Sequence, residues 1–300
     1  DLMALDNPAF NRPAFQDPKS ATATRGGAQS GQMSDPYYAS QASAQQTAQI
    51  DGLYATPPAG SIDTDRMTVE DTVWKTVGLF AALLVTAVVG WVWTLSTVMT
   101  EGAPNMTPWL IGMIGGFVLA MVNIFKKQPS APLIVLYAAF EGLFVGGISA
   151  YFEFMFPGIV MQATLATLAV VGVTLALFAS GKVRASKKAT KIFMIAMVGY
   201  MVFSLLNLVL MWTGVIPAGM MFGIHSEPSF LFGIPWGIII GVFVVLMAAY
   251  SLVLDFDRVQ QGVRNGAPRK YGWLSAFGIM VTVVWLYVEI LRILAIARSN

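Results

Sequence analysis

Residues 73–98 read VWKTVGLFAALLVTAVVGWVWTLSTV, twenty-six positions with a single charge, Lys75. A helix needs about 20 apolar residues to cross the hydrocarbon core of a bilayer. This stretch is long enough, and it shows none of the apolar–polar alternation of a membrane β-strand. Six further runs of the same kind follow, at roughly residues 107–125, 132–155, 159–180, 191–213, 233–254 and 272–297. In lipid each must close its own backbone hydrogen bonds, which a helix does and an open strand does not. The reading is an all-α polytopic membrane protein, a seven-helix bundle over residues 71–300 behind a disordered N-terminal tail over residues 1–70.

Composition agrees. The 300 residues are 56% hydrophobic and 11% charged, with mean hydropathy +0.66. Soluble domains carry about 25% charged residues. The net charge of +2 gives no field for nucleic acid, so no nucleic-acid partner is expected. There is no cysteine and one histidine, His225, which argues against thiolate chemistry and against a zinc site. No cofactor is expected.

The polar breaks set the topology. Lys126 and Lys127 lie between runs 2 and 3. Lys182, Arg184, Lys187, Lys188 and Lys191 lie between runs 4 and 5, and Arg258, Arg264, Arg269 and Lys270 between runs 6 and 7. The other three breaks contain no Lys or Arg. Basic residues in short loops stay cytoplasmic. The N-terminus is therefore expected in the cytoplasm and the C-terminus outside.

Residues 1–70 are rich in Ala, Gln, Ser, Thr, Gly and Pro, too poor in aliphatic side chains to offset chain entropy. No signal peptide is expected within them, because long apolar runs begin only near Val73. A small repeat, Asn7-Pro8-Ala9-Phe10 and Arg12-Pro13-Ala14-Phe15, is either low-complexity chance or a docking motif for a protein partner.

Small residues four apart, Gly112 and Gly116, Gly142 and Gly146, Gly237 and Gly241, let helix backbones approach closely. Packing within one chain is the simpler reading, a dimer interface the other. Trp91, Trp93, Trp109, Trp212, Trp236 and Trp273 fall near run ends, where aromatic belts sit.

Charges inside a span are costly and mark pathways, relays or buried pairs. Glu141 lies about ten residues into run 3, roughly 15 Å deep at 1.5 Å per residue. It is either neutral or facing a wet cavity, and serves either an ion pathway or a structural hydrogen bond. Asp255 and Asp257 lie at the end of run 6 beside Arg258; at i,i+2 they face different sides. Glu289 has Arg292 at i+3 on its own face, so the pair can satisfy itself. Asn207 and Thr282 suit helix-to-helix hydrogen bonds. Glu153 and His225, at or beyond the outer ends, are expected in water.

The stretch Tyr250-Ser-Leu-Val-Leu-Asp255-Phe-Asp-Arg-Val259 resembles the sixth-helix signature of the transmembrane Bax inhibitor-1 motif family. Glu141-Gly-Leu-Phe-Val-Gly146-Gly-Ile-Ser149 resembles its third helix. Leu286-Tyr287-Val-Glu289 with Leu291-Arg292-Ile-Leu294 resembles its last. The resemblance spans residues 70–297, leaves the tail outside, and points to a bacterial member in the inner membrane. It implies six helices around a central seventh and a pH-sensitive cation leak, notably of calcium, or of protons. It also implies a sensor of two aspartates on helices 6 and 7. Asp255 matches the first. Leu-Tyr-x-acid places the second at Glu289. Matching Arg-Ile-Leu instead places an apolar residue or Thr282 there; the paired sensor is then either absent from this chain, or Glu141 or Asp257 stands in.

The leading expectation is thus a passive, pH-sensitive leak. The alternative is a non-transporting regulator or scaffold that binds a membrane complex through its tail. An enzyme is not expected: zinc-protease and Gly-Lys-Ser/Thr motifs are absent.

Overall fold

The computed structural model describes residues 65–216, 222–229 and 233–299. Most of the expected disordered tail, with the Pro-Ala-Phe repeat, lies outside the described residues. Seven of the described helices are long and apolar enough to cross a membrane, and the chain is a multi-pass membrane protein. They are α1 Val69–Leu95, α2 Thr107–Phe125, α3 Ala131–Met155, α4 Ile159–Ala179, α5 Lys187–Trp212, α6 Trp236–Arg264 and α7 Tyr271–Ser299. A single further turn, Val98–Glu101, extends α1.

Local chemistry sets the ends. Thr68 caps α1 by accepting from the Asp71 amide at 3.1 Å, and Ser186 caps α5 by accepting from the Ala189 amide at 3.2 Å. Pro108 and Pro132 occupy the first turns of α2 and α3, where a missing N–H costs nothing.

Two helices carry the core. α3 and α7 are the most buried spans, and α5 is the least. α3 packs against α1, α2, α4 and α7. α7 packs against α1, α3, α4 and α6. The expectation of a central seventh helix in a ring of six is corrected: α3 shares the centre, because its glycines remove the side chains that would hold α1 and α2 away. A Cβ on Gly142 or Gly146 would strike Thr86, Leu83 and Ala87 of α1, and one on Gly112 would lie 2.8 Å from the Phe140 carbonyl oxygen. The glycine pairs on α2, α3 and α6 all face helices of this same chain.

The three basic breaks gather at one end. Arg184 donates to Gln260 (2.8 Å) and Lys270 to Gln128 (3.1 Å), joining the 4–5, 6–7 and 2–3 breaks. At the opposite end Arg298 donates to the Pro157 carbonyl at 2.8 Å. The boundary expected at residue 70 falls inside α1. Residues 65–68 are fixed on the 6–7 break: Met67 N–H donates to the Ala267 carbonyl (2.8 Å) and Arg269 N–H to that of Asp65 (2.9 Å). Met67 is buried. Arg269 also donates twice to the Asp71 carboxylate, at 2.9 and 3.0 Å, and Lys75 pairs with the same group.

Candidate functional site

Asp255 lies on α6 two and a half turns before its end, and only 6% of it is exposed. Thr282 of α7 donates its hydroxyl proton to Oδ2 at 2.7 Å. Arg258, one turn on and mostly exposed, donates to Oδ1 at 3.3 Å. Ser251 Oγ lies 3.5 Å from the Thr282 hydroxyl. One turn before Thr282, Gly278 also faces Asp255: a Cβ there would sit 3.4 Å from Oδ1, an ordinary contact.

The carboxylate forms part of the wall of a cavity of about 550 Å³ at the basic end. Asn123, Lys126 and Lys127 line it on one side, Arg258 and Gly262 on another, and Tyr271, Ser275 and Phe277 on a third. Met67, from the root of the tail, also lines it.

The other carboxylates expected at the site stand apart. Glu289 is buried on α7, paired with Arg292 one turn later and accepting from the Tyr200 hydroxyl of α5 at 3.1 Å. Thr282 and Glu289 are seven residues apart, about 10 Å along a helix. Asp255 and Glu289 therefore do not form a pair; a threonine occupies the place facing Asp255. Asp257 points elsewhere and accepts from Gln261 at 2.6 Å. Glu141 faces Gly116 of α2, its Oε2 3.2 Å from an ideal Cβ there, and interacts with Tyr137 one turn earlier. Tyr137 meets Phe277 edge-on, ring centroids 4.8 Å apart. Since Phe277 lines the cavity, these two rings separate Glu141 from the space beside Asp255.

One outer residue differs from expectation. His225 is 2% exposed, not in water: a single 3-10 turn, Gly223–Ser226, folds it inward against Asn207 (3.3 Å to Nδ1) and Phe203. Burial pulls its pKa down to about 4, helped by the Arg292 charge, so the imidazole is neutral near pH 7. Glu153 caps α4, accepting from the amides of Gly158 (2.6 Å) and Val160 (3.0 Å). Asn207 binds the turn rather than another span, accepting from the Ile224 amide at 2.9 Å.

The sequence reading passed over Gly278, Tyr137, Phe277 and Tyr200, and took Thr282 as a helix-to-helix link. The signal for the first was a small residue and a hydroxyl four apart on α7, Gly278 and Thr282. Among the described residues no group of three or more His, Cys, Asp or Glu could hold a metal ion.

The family described as Bax inhibitor 1 like matches residues 7–299. The chain belongs to this family. The match begins at residue 7, so the tail is not outside the family pattern as the helix motifs alone suggested. No curated protein and no solved structure matched the chain.

Proposed function

We propose that the protein is a passive, pH-sensitive leak for cations, calcium or protons, with Asp255 at its gate. The observation that carries this is a buried carboxylate that both forms part of the wall of a 550 Å³ cavity and bonds the neighbouring core helix through Thr282. Hard cations take carboxylate and carbonyl oxygens as ligands. The ionised carboxylate accepts from Thr282 on one oxygen and Arg258 on the other. A proton on Oδ1 opposes the donor-only Arg258, and a proton on Oδ2 reverses the bond with the Thr282 hydroxyl, which then accepts. Protonation thereby changes the hold of α6 on α7, a local event with a reach along both helices. One carboxylate suffices for this; a shared proton between two acids is not required. Glu141 is the next carboxylate on the path, reached when the Tyr137–Phe277 contact opens. The basic breaks support a cytoplasmic N-terminus and an outer C-terminus, and the protein is read as one of a bacterial inner membrane. Nothing in this scheme needs a nucleophile or cofactor.

One observation favours a second reading, a non-transporting regulator or scaffold. Lys126, Lys127 and Arg258 surround the cavity and oppose cation entry, while residues 65–67 tie the tail to its rim. Calcium flux into liposomes holding the purified protein, from pH 5 to 8, decides between them. The leak predicts pH-dependent flux, altered in Asp255→Asn and reduced in Glu141→Gln. Flux equal to protein-free liposomes at every pH removes the leak and leaves the scaffold.

A further inference from the structure

We propose that the groove between α2 and α7 at the basic end binds the phosphate headgroup of an anionic phospholipid. Among the described residues, Lys126 and Lys127 have no acidic partner: the ion pairs there use Lys75, Arg258, Arg269 and Arg292. Both lysines line the cavity, as do the side chains of Tyr271 and Ser275, whose hydroxyls make no hydrogen bond among the described residues. The acid in the cavity, Asp255, is engaged by Thr282 and Arg258. The groove therefore presents uncommitted cations and hydroxyl donors, the recognition set of a phosphate.

A free phosphate and a lipid share that chemistry, and the surroundings favour the lipid. Ile124 and Leu274 form part of the same wall and are 59% and 40% exposed. On a membrane-spanning helix such side chains face acyl chains. α2 packs on α1 and α3, whereas α7 packs on α1, α3, α4 and α6, so the groove opens sideways between them. It sits where α2 ends and α7 begins, the level at which headgroups meet a basic surface. The positive-inside rule alone accounts for two lysines in the break. It does not account for a cavity with free hydroxyls and apolar flanks beside them, and Lys187 and Lys188 at the start of α5 provide the comparison.

Native mass spectrometry of the full chain in detergent, titrated with phosphatidylglycerol or phosphatidylcholine, tests this. About fivefold per basic residue near a membrane surface predicts roughly thirtyfold preference for phosphatidylglycerol from the two lysines. Wild type and Lys187→Gln/Lys188→Gln should keep it, and Lys126→Gln/Lys127→Gln should lose most of it. Equal retention of both lipids by wild type, or an unchanged preference in the Lys126/Lys127 variant, overturns the site. Displacement of the lipid by equimolar inorganic phosphate overturns the lipid as its occupant. A charge-neutral probe guards against misfolding of the lysine variant. The chain has no cysteine, so Leu274→Cys gives one attachment point for a bimane fluorophore. Brominated phosphatidylglycerol should quench it more than brominated phosphatidylcholine at equal mole fraction; equal quenching sinks the proposal. Neither readout depends on ion flux.

Discussion

α7 carries two buried polar clusters about 10 Å apart, and they are built on opposite plans. At Asp255 the partners are a neutral hydroxyl from another helix and an exposed guanidinium, and a cavity reaches the carboxylate. At Glu289 the partner is a half-buried arginine on the same helix, with the Tyr200 hydroxyl of α5 completing the set. Between them the buried Val284 and Leu286 make a dry layer. Both acids have an arginine one turn later; the one at Glu289 is 18% exposed and makes a settled structural pair, the one at Asp255 is 73% exposed. A carboxylate whose partners divide between a neighbouring helix and the solvent can respond to a proton. The lesson is that burial alone does not distinguish two acids; the exposure of their partners does.

The largest effect should come from removing Arg292, with Arg258 as its comparison. Arg292→Leu leaves the Glu289 charge buried and uncompensated, a loss of about 3–5 kcal/mol. Arg258→Leu removes a mostly exposed partner and should cost about 1 kcal/mol or less. Thermal unfolding in detergent measures both, and similar losses would erase the distinction between the clusters. Next comes Thr282→Val, which keeps the shape and removes the interhelical donor to Asp255. The expected cost is about 1–3 kcal/mol, with a changed pH response of any flux. If stability and pH response both stay as in wild type, the α6–α7 bond has no part in gating.

The smallest effect concerns His225, which borders the Glu289 cluster. Its folded pKa lies below the ordinary 6.5, so the neutral form is favoured by the fold. That stabilisation is complete above about pH 6.5 and fades as pH falls toward about 4. Protection of the amides of residues 222–229 against exchange, relative to the intrinsic rate at each pH, should fall over that window in wild type and not in His225→Asn. The pH response at Asp255 should be the same in both proteins. A changed response would couple the two clusters that the dry layer separates.

The seven spans, their alternating basic ends and their intrachain glycine contacts were legible in the residues. Lipid admits few backbone solutions, and a run of about 20 apolar residues with charge at alternate ends has one reading. Asp255 was legible too, as an acid ending an apolar run. Its partnership was not. Whether Thr282 or Glu289 faces Asp255 depends on the register of α7 against α6, which the residues of neither helix state alone. The burial of His225 depends on a turn between α5 and α6 that Asn207 holds from the side, a contact eighteen residues distant in the chain. The fixing of residues 65–68 likewise rests on backbone bonds to a break some two hundred residues away. Sequence by itself determined what each segment must do to lie in a bilayer, because that constraint acts on each helix separately. Only the tertiary structure decided which polar groups meet, because that is a property of pairs of helices.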